Sequence, residues 1–320
     1  MPNFNGVWSL TTQLQYASDW PVFIQPNPRA LFMGGADSSG YFNVIDFIDI
    51  SSTGNASDFG DLSAAKDRVI AVSSKTRAIA ATGFTGSDSN VIEYVTIATT
   101  GNMTDFGDTT SAARHGSGTG SQTRGLLQLG RVSSVVDTID FITIASTGNA
   151  QDFGNLTVAR AFAQDSAVSS PTRGVFAGGY SSSAVNTIDY VTIATTGNAT
   201  DFGDTSVTRY GMGGASSSTR GTFGGGHNTT TGDTIDYITI ASTGNATDFG
   251  NLTTTIRYLG GTSNGTKGVF GGGQDVSNSS NLDSIDTITI ASTGNATDFG
   301  DLTAARNALA ATSGAHGGLQ

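Results

Sequence analysis

Short apolar segments, separated by polar turns, recur along almost the whole chain. In the fourth copy of the pattern the segments are 158–168 (VARAFAQDSAV), 172–180 (TRGVFAGGY), 186–194 (NTIDYVTIA) and 199–205 (ATDFGDT). Each is bounded by Ser, Gly, Asn or Pro, and Ile, Val, Phe and Tyr recur within the segments, which is typical of short β-strands joined by turns. The pattern therefore predicts an all-β chain built from a repeated unit of four strands.

The repeat has a period of about 47 residues. Its most constant feature is the motif N-x-x-D-F-G-[DN], whose aspartates are Asp58, Asp105, Asp152, Asp201, Asp248 and Asp298. Successive aspartates are 47, 47, 49, 47 and 50 residues apart. Four strands in every ~45–50 residues are typical of a propeller blade, since the coils of solenoids have shorter periods. Six copies of the motif predict six blades.

The two ends of the repeat region predict how the ring closes. The first complete element, 29–35 (RALFMGG), matches the second strand of a blade, and the last, 302–312 (LTAARNALAAT), matches the first strand. A C-terminal strand that completes the first blade would fasten the ring and leave no open sheet at the join. The expected fold is an all-β, six-bladed β-propeller of four-stranded blades over residues 29–320, preceded by a separate arm, residues 1–28.

The repeat resembles that of the kelch family of β-propellers, which have a Gly-Gly pair after the second strand, a Tyr in the third and a Trp in the fourth. In the fourth copy the corresponding residues are Gly178, Gly179, Tyr190 and Phe202. Phe replaces the Trp in every copy, and the second and third copies keep only Gly83 and Gly130 of the pair. The resemblance implies the fold and no particular activity, because such propellers include enzymes and binding modules alike.

The N-x-x-D-F-G-[DN] motif has a structural and a metal-binding interpretation. Its preceding Thr-Gly is a turn signal, its acidic and amide side chains can accept backbone N–H bonds, and its Phe can pack between blades. Asn and Asp at motif positions 1, 4 and 7 would also suit calcium, although calcium loops cluster carboxylates more densely. Copies such as 198–200 match the glycosylation sequence as well. We interpret the motif as a structural joint and expect no metal and no cofactor.

Charged residues are sparse and follow the repeat, which uses 12 of the 15 Lys and Arg residues at two positions. One set precedes the second strand: Arg29, Arg77, Arg124, Arg173, Arg220 and Lys267. The other set lies in the first strand: Lys66, Arg114, Arg160, Arg209, Arg257 and Arg306. The third strand carries one acid in each copy: Asp46, Glu93, Asp140, Asp189, Asp236 and Asp286.

The third-strand acids lie on a face that adjacent blades should cover, and buried carboxylates require partners. We therefore predict ion pairs that join strands and blades. The predicted members are Arg173, Asp189, Arg220, Asp236, Lys267 and Asp286. The alternative is a ring of cations that lines the central channel and binds anions. Ion pairs repeated in every unit more often serve architecture, which favours the first interpretation.

Composition excludes several functions. The net charge of −11 and the pI near 4.4 oppose binding to nucleic acid or to an anionic membrane. No Cys is present, so disulfides and thiolate chemistry do not contribute. No apolar run approaches the ~20 residues of a membrane-spanning helix, and no signal peptide is visible. We expect a soluble chain without membrane insertion.

Catalytic signatures are not found in the sequence. The three histidines, His115, His227 and His316, form no H-x-x-x-H or H-E-x-x-H pattern. No G-x-S-x-G elbow occurs, and the Gly pairs precede no helix that could bind phosphate. The chain also lacks the Cys that a galactose-oxidase-like propeller requires and the boxes of sialidases. The sequence predicts a protein that is not an enzyme.

The connection between the second and third strands varies from copy to copy, whereas the rest of the repeat is nearly constant. These loops should lie on one face of the ring, and loops on a rigid scaffold commonly carry binding sites. The candidate binding residues are Tyr41, Tyr180, His227, Asn228 and Asp275. The alternative is that the loops vary because nothing constrains them.

The arm, residues 1–28, contains both Trp residues and several other apolar side chains. Its candidate docking residues are Phe4, Val7, Trp8, Leu10 and Trp20. The pattern G-V-W-S-L … W-P resembles the opening segment of structural proteins from marine and cyanobacterial phages, and Thr/Gly/Ser-rich kelch-like repeats resemble phage appendage proteins.

This resemblance implies a virion protein, located in a tail fibre or head appendage and assembled in the host cytoplasm. The arm would dock to other virion structural proteins, and the variable loops would meet a host surface glycan or a protein receptor. Assembly into an oligomer is compatible with this role. The alternative is a carbohydrate-binding or carbohydrate-active propeller that is not associated with a virus.

Overall fold

The computed structural model describes residues 29–163, 165–228 and 232–319. Within these ranges the chain forms β-strands and one short 3-10 helix, Gly317–Leu319. The strands of the first half are β1 (Arg29–Met33), β2 (Ala36–Asp37), β3 (Gly40–Tyr41), β4 (Val44–Asp49), β5 (Ser57–Asp61), β6 (Ile70–Ser73), β7 (Arg77–Ala81), β8 (Ser89–Thr96), β9 (Thr104–Ala113), β10 (Ser117–Gly120), β11 (Arg124–Gln128), β12 (Thr138–Thr143) and β13 (Gln151–Asn155). Those of the second half are β14 (Ala167–Ser169), β15 (Arg173–Ala177), β16 (Thr187–Thr192), β17 (Thr200–Asp204), β18 (Tyr210–Ser216), β19 (Arg220–His227), β20 (Thr234–Thr239), β21 (Thr247–Asn251), β22 (Ile256–Arg257), β23 (Gly260–Ser263), β24 (Lys267–Gly271), β25 (Gln274–Asp275), β26 (Ser284–Thr289), β27 (Thr297–Asp301) and β28 (Ala310–Ser313).

Six four-stranded antiparallel sheets form the blades. In order from the innermost strand they are β28-β1-β4-β5, β6-β7-β8-β9, β10-β11-β12-β13, β14-β15-β16-β17, β18-β19-β20-β21 and β23-β24-β26-β27, numbered blades 1 to 6. The innermost strands contact one another in cyclic order. The predicted six-bladed β-propeller is confirmed, and the C-terminal β28 completes blade 1 by pairing with β1, as expected.

Blade 4 shows how the predicted segments relate to the strands. The second, third and fourth strands fall within 172–180, 186–194 and 199–205. The first strand, β14, is shorter than predicted and includes only the end of the segment 158–168. Phe162 has a φ of 54°, in the left-handed region, so the backbone before β14 does not continue as a strand. It forms the connection from blade 3 instead.

Because successive strands are antiparallel, the connections alternate between two faces of the ring. The lower face carries the loops that join the first strand to the second and the third to the fourth. The upper face carries the variable loops and the connections from each blade to the next. Arg29 lies at the lower face, because it pairs with Asp49 at the end of β4.

The hydrophobic core lies between neighbouring blades. One cluster, for example, packs Leu31 and Met33 of blade 1 against Ala78 and Val95 of blade 2. A blade that stood alone would leave such residues exposed on both faces of its sheet, and burial contributes about 25 cal/mol per Å² of apolar surface. The ring as a whole is therefore the unit that buries the core.

The N-x-x-D-F-G-[DN] motif forms a β-bulge on the outer strand of each blade. In blade 4 the ladder pairs Ile188 with Gly203 and Asp189 with Asp201, so Phe202 is the extra residue. Gly203 has a φ of 144°, a conformation that favours glycine. Phe202 is buried in a cluster that contains residues of blades 4 and 5, and the same register shift recurs in the other five blades.

The same motif also joins each blade to the next. At the junction of blades 6 and 1, the Gly54 N–H donates to the Phe299 carbonyl at 2.9 Å, and the Asp301 N–H donates to Asn55 Oδ1 at 3.1 Å. A Cβ on Gly300 would lie 2.5 Å from the Gly54 carbonyl oxygen. The Asn-to-backbone bond recurs at 3.1 Å at the other five junctions. The motif is thus a joint between neighbouring blades.

Candidate functional site

The third-strand acids are held by the connections that enter their blades. Asp189 accepts hydrogen bonds from the Thr157 N–H at 3.2 Å and from the Thr157 hydroxyl at 2.5 Å. It also accepts one from Arg160 Nη1 at 2.6 Å, and both charged side chains are fully buried. Equivalent buried ion pairs are Lys66–Glu93, Arg209–Asp236 and Arg306–Asp46. The cations therefore come from the set that the sequence placed in the first strand.

Blade 3 differs because its basic residue is displaced by one position. Thr110 N–H donates to Asp140 at 2.8 Å, but Arg114 follows this Thr by four residues, whereas Arg160 follows Thr157 by three. Arg114 turns away and forms an ion pair with Asp88 at 3.1 Å. Burial raises the pKa of the Asp140 carboxyl, which has no ion-pair partner among the described residues.

Blade 6 has the same four-residue spacing, between Thr253 and Arg257. Asp286 accepts the Thr253 N–H at 2.8 Å, while Arg257 donates to the Gln274 side chain at 2.9 Å. The predicted ion pair of Asp286 is therefore wrong within the described part of the chain. Burial raises the pKa of the Asp286 carboxyl.

The predicted ion pairs of Arg173 and Arg220 are also wrong. The Arg173 guanidinium lies 4.2 Å from the centre of the Tyr190 ring and donates to the Ile240 carbonyl of blade 5 at 2.8 Å. The reason is the direction of the strands: Arg173 pairs with Thr192, three residues beyond Asp189, at the opposite end of the ladder. Arg220 repeats this arrangement in blade 5.

Lys267 of blade 6 does not form the predicted ion pair either. Its Nζ donates to the Ser51 carbonyl of blade 1 at 3.3 Å. Lys267 occupies the position of Arg173 and Arg220, at the lower-face end of its ladder, so the third-strand acid is again out of reach. All six second-strand cations thus fasten one blade to the backbone of the next.

Three of the predicted loop residues come together on the upper face. Tyr180, His227 and Asn228 line a groove of about 740 Å³ between blades 4 and 5. The other lining residues are Ser182, Ser183, Ala184, Val207, Thr208 and Tyr210. The Tyr210 ring lies 5.5 Å from the ring of Tyr180 and 5.4 Å from that of His227, edge to face in both cases. Sequence reasoning missed Tyr210, which lies outside the variable loops.

The groove continues into an aromatic cluster toward the axis. The Phe162 ring lies 5.8 Å from Tyr210 and 3.8 Å from His115, and Tyr258 lies 6.0 Å from Tyr210. Phe162, His115 and Tyr258 are equivalent positions of three blades, and each has a positive φ of 54° to 60°. Gly211 holds the same position in blade 5, where its N–H donates to the Phe162 carbonyl at 2.7 Å. Arg68 and Ala308 hold the position in blades 2 and 1 with φ of 56° and 57°, so this conformation belongs to the repeat.

Three arginines lie beside the aromatic cluster, and two of them form ion pairs, Arg68 with Asp67 and Arg114 with Asp88, both at 3.1 Å. Burial, together with Arg68, Arg114 and Arg131, lowers the pKa of His115 to about 2, so its imidazole is neutral. Its Nδ1 has no hydrogen-bond partner among the described residues. Burial also raises the pKa of the Tyr258 hydroxyl. The mouth of the channel is thus lined by aromatic rings and a neutral imidazole, beside arginines that are partly neutralised by Asp67 and Asp88.

The other two predicted loop residues do not line the groove. Tyr41 is 39% exposed, and its ring packs edge to face on Phe84 at 5.8 Å. Asp275 accepts the Ser277 N–H and hydroxyl at 2.7 Å, so it stabilises a turn in its own loop. Both lie on the upper face but contribute to local loop structure.

Asp165 is a buried acid at the centre of the ring that the sequence analysis missed. Its carboxylate, on blade 4, accepts backbone N–H bonds from Gly261 of blade 6 at 3.3 Å and from Ala311 of blade 1. Burial raises the pKa of Asp165 well above its usual value. The signal for it was the spacing of 49 residues in place of 47, because the two extra residues precede β14.

The C-terminal segment closes the lower end of the central channel. A Cβ on Gly318 would overlap the Gly120 carbonyl, and one on Gly317 would overlap the Ser169 carbonyl, so both glycines touch inner strands. His316 lines a cavity of about 40 Å³ together with Asp165. Burial lowers the pKa of His316 to about 4. The segment was not assigned a role from sequence.

The predicted docking residues Phe4, Val7, Trp8, Leu10 and Trp20 lie outside the described residues. Within the described ranges, no helix has the length and apolar character needed to span a membrane. In the same ranges, no group of three or more His, Asp or Glu side chains is placed to hold a metal ion.

Comparison with known proteins adds no family to these observations. No model of a known protein family matches the chain, and none of the curated proteins matches it either. The groove and the aromatic cluster beside it are therefore the features from which a function can be argued.

Proposed function

We propose that the protein is a non-catalytic adhesion protein that binds a surface receptor through the groove on its upper face. The observation that carries the proposal is that the groove breaks the repeat. Joints and stacked cations recur from blade to blade, whereas Tyr180, Tyr210 and His227 converge at one place only among the described residues. Loops and concave sites on a rigid scaffold are where proteins place binding.

The chemistry of the groove favours a glycan as the receptor. Two tyrosine rings and an imidazole supply flat faces for the apolar side of a sugar ring. Hydroxyls of Ser182, Ser183 and Thr208 lie on the groove walls, where they can exchange hydrogen bonds with sugar hydroxyls. The volume of about 740 Å³ falls within the ~300–1,000 Å³ typical of ligand sites.

The proposal places the protein in a phage tail fibre or head appendage, with other virion structural proteins as partners. This part rests on the sequence resemblance of residues 1–28 and of the Thr/Gly/Ser-rich repeat. The position of Arg29 supports the orientation, because the chain enters blade 1 at the lower face, opposite the groove. A protein attached through residues 1–28 would present the groove outward.

A glycan array tests the binding function. The intact protein should bind a defined set of glycans, and Tyr210→Ala should weaken binding at least tenfold, about 1.4 kcal/mol. Tyr41→Ala is the matched control, because it removes an exposed tyrosine from the same face outside the groove. Equal binding by the two variants, or no binding by the intact protein, would refute the assignment of the groove.

Immunogold electron microscopy tests the location. Antibodies against the propeller should label a tail or capsid projection of phage particles whose genome encodes the chain. If the particles remain unlabelled although the epitope is accessible, the location in the virion is refuted. The alternative, a carbohydrate-binding or carbohydrate-active propeller, would then stand. Incubation of the protein with the glycans that it binds then distinguishes a carbohydrate-binding from a carbohydrate-active propeller, because release of shorter sugars would indicate hydrolysis.

A further inference from the structure

Blade 6 departs from a cation–aromatic pair that the other five blades share. In blades 1 to 5 an Arg of the second strand lies 4.2 to 4.8 Å from the centre of a Phe or Tyr ring of the third strand. Blade 6 has Lys267 in place of the Arg and Thr287 in place of the ring. The register confirms the equivalence, because Thr287 faces Val269 as Tyr190 faces Val175.

The change leaves a pocket of about 330 Å³ at the rim of the ring, toward the lower face. Lys267 and Thr287 line it together with Thr289 and Thr297 of the same blade. Thr53 of blade 1 closes one side. The pocket is separate from the groove of the proposed function, which lies on the upper face between blades 4 and 5.

The five other blades show what this niche accommodates. In each of them one aromatic ring lies beneath the cation and meets the bulge Phe edge to face, at 5.9 to 6.1 Å between ring centres. The ring is Phe47 or Phe141 in two blades and a Tyr in three, so the niche accepts both phenyl and phenol. Blade 6 keeps a cation and lacks only the ring.

We propose that this pocket binds one aromatic ring of a ligand, phenyl or phenol, beneath the Lys267 ammonium. A cation over a ring face is attractive, and the Phe249 ring of blade 5 in the pocket lining offers an aromatic contact as well. The volume of about 330 Å³ exceeds the ~150 Å³ of an engineered cavity that takes up benzene, so a substituted ring fits. Thr53, Ser292 and Asn295 supply polar groups for the substituent.

The experiment titrates p-cresol, the side chain of tyrosine, into methyl-labelled full-length protein. Methyl resonances of Thr287, Thr289 and Ile288 should shift and saturate at millimolar concentration. The double variant Lys267→Arg/Thr287→Tyr rebuilds the arrangement of the other blades, so it should fold, melt no lower than the wild type and bind p-cresol at least tenfold more weakly. 4-Methylcyclohexanol, of similar size without a π system, should bind at least threefold more weakly than p-cresol.

A reverse variant provides the matched control. Arg220→Lys/Tyr237→Thr copies the blade 6 residues into blade 5, and it should raise the number of p-cresol sites from one to two. The peptide Gly-Tyr-Gly distinguishes the source of the ring: binding tighter than that of p-cresol indicates a polypeptide ligand, and weaker binding indicates a small aromatic molecule. The proposal would be overturned if the methyl resonances of the wild type showed no saturable shifts, or if Lys267→Arg/Thr287→Tyr bound p-cresol as well as the wild type. It would also be overturned if Arg220→Lys/Tyr237→Thr gained no second site.

Discussion

The ion pair between Arg160 and Asp189 allows a quantitative test of what holds a blade to its neighbour. Asp189→Ala leaves the Arg160 guanidinium buried, with the Phe176 carbonyl at 3.1 Å as a remaining acceptor. Breaking a buried pair by removing one partner costs about 3–5 kcal/mol. Thr157 also loses the acceptor of its N–H and hydroxyl, at about 1 kcal/mol for each bond. We expect a loss of about 5–7 kcal/mol in the free energy of unfolding.

Asp286→Ala is the matched comparison. Asp286 has the same two bonds from a Thr but no cation partner among the described residues, so its removal should cost only about 2 kcal/mol, the worth of those bonds. The difference between the two variants isolates the ion pair.

The assay is urea unfolding followed by far-ultraviolet circular dichroism, which reports directly on the β-strands of the blades. The urea concentration at the midpoint of unfolding should fall more for Asp189→Ala than for Asp286→Ala. The slope of the unfolding free energy against urea concentration should not change. Arg160→Met in the Asp189→Ala background should restore most of the loss, because apolar replacement of a whole pair is often neutral. Equal midpoints for the two single variants, or no recovery, would refute the reasoning.

Three further outcomes are expected. Gly300→Ala should lower the melting temperature more than Gly40→Ala. Both glycines have a φ near 150°, but only a Cβ at position 300 would meet the Gly54 carbonyl. Equal decreases in melting temperature would contradict the role of the motif as a joint between blades. Deletion of Leu302–Gln320 removes β28 and should abolish folding or cause aggregation, and unchanged melting would contradict closure by that strand. His316 has a folded pKa of about 4, below the ordinary 6.5, so the unfolded chain takes up the proton first. Stability should be fully present above pH 6.5 and decline as the pH falls toward 4, and His316→Gln should make that decline shallower in a pH series of melting curves, with the remainder due to buried His115, whose pKa is lowered to about 2.

The ring and its closure could be predicted because few folds satisfy a meander of four short strands at a fixed period. The six aspartates gave the number of blades, and the phase of 29–35 and 302–312 gave the closing strand. The cation that pairs with each third-strand acid was harder to predict, because every repeat offers two cations. Strand direction decides it, since Arg173 lies opposite Thr192 and only Arg160 reaches Asp189.

The groove could be predicted only in part. Tyr180 and His227 belong to variable loops and were found by their departure from the repeat. Tyr210 joins them from the start of β18, where the sequence shows a Tyr beside a repeated Arg and nothing else unusual. Three segments of the chain meet there, and their separations depend on the packing of blade 4 on blade 5. In the sequence, the pocket at Thr287 is marked only by a Thr at a position where the other five blades have an aromatic residue. Its interpretation as a binding site depends on the Lys267 ammonium above it.

The placement of β1 determines how the ring responds to mechanical force. β1 is hydrogen-bonded along its length to β28 on one side and to β4 on the other, and both Arg29 and Ser313 lie at the lower face. Tension between the lower end of β1 and a ligand on the upper face pulls the strand lengthwise, so the bonds to both neighbours resist together. Tension between Arg29 and Ser313 opens the β1–β28 ladder one bond at a time. The ring should therefore withstand a pulling ligand better than separation of its own ends.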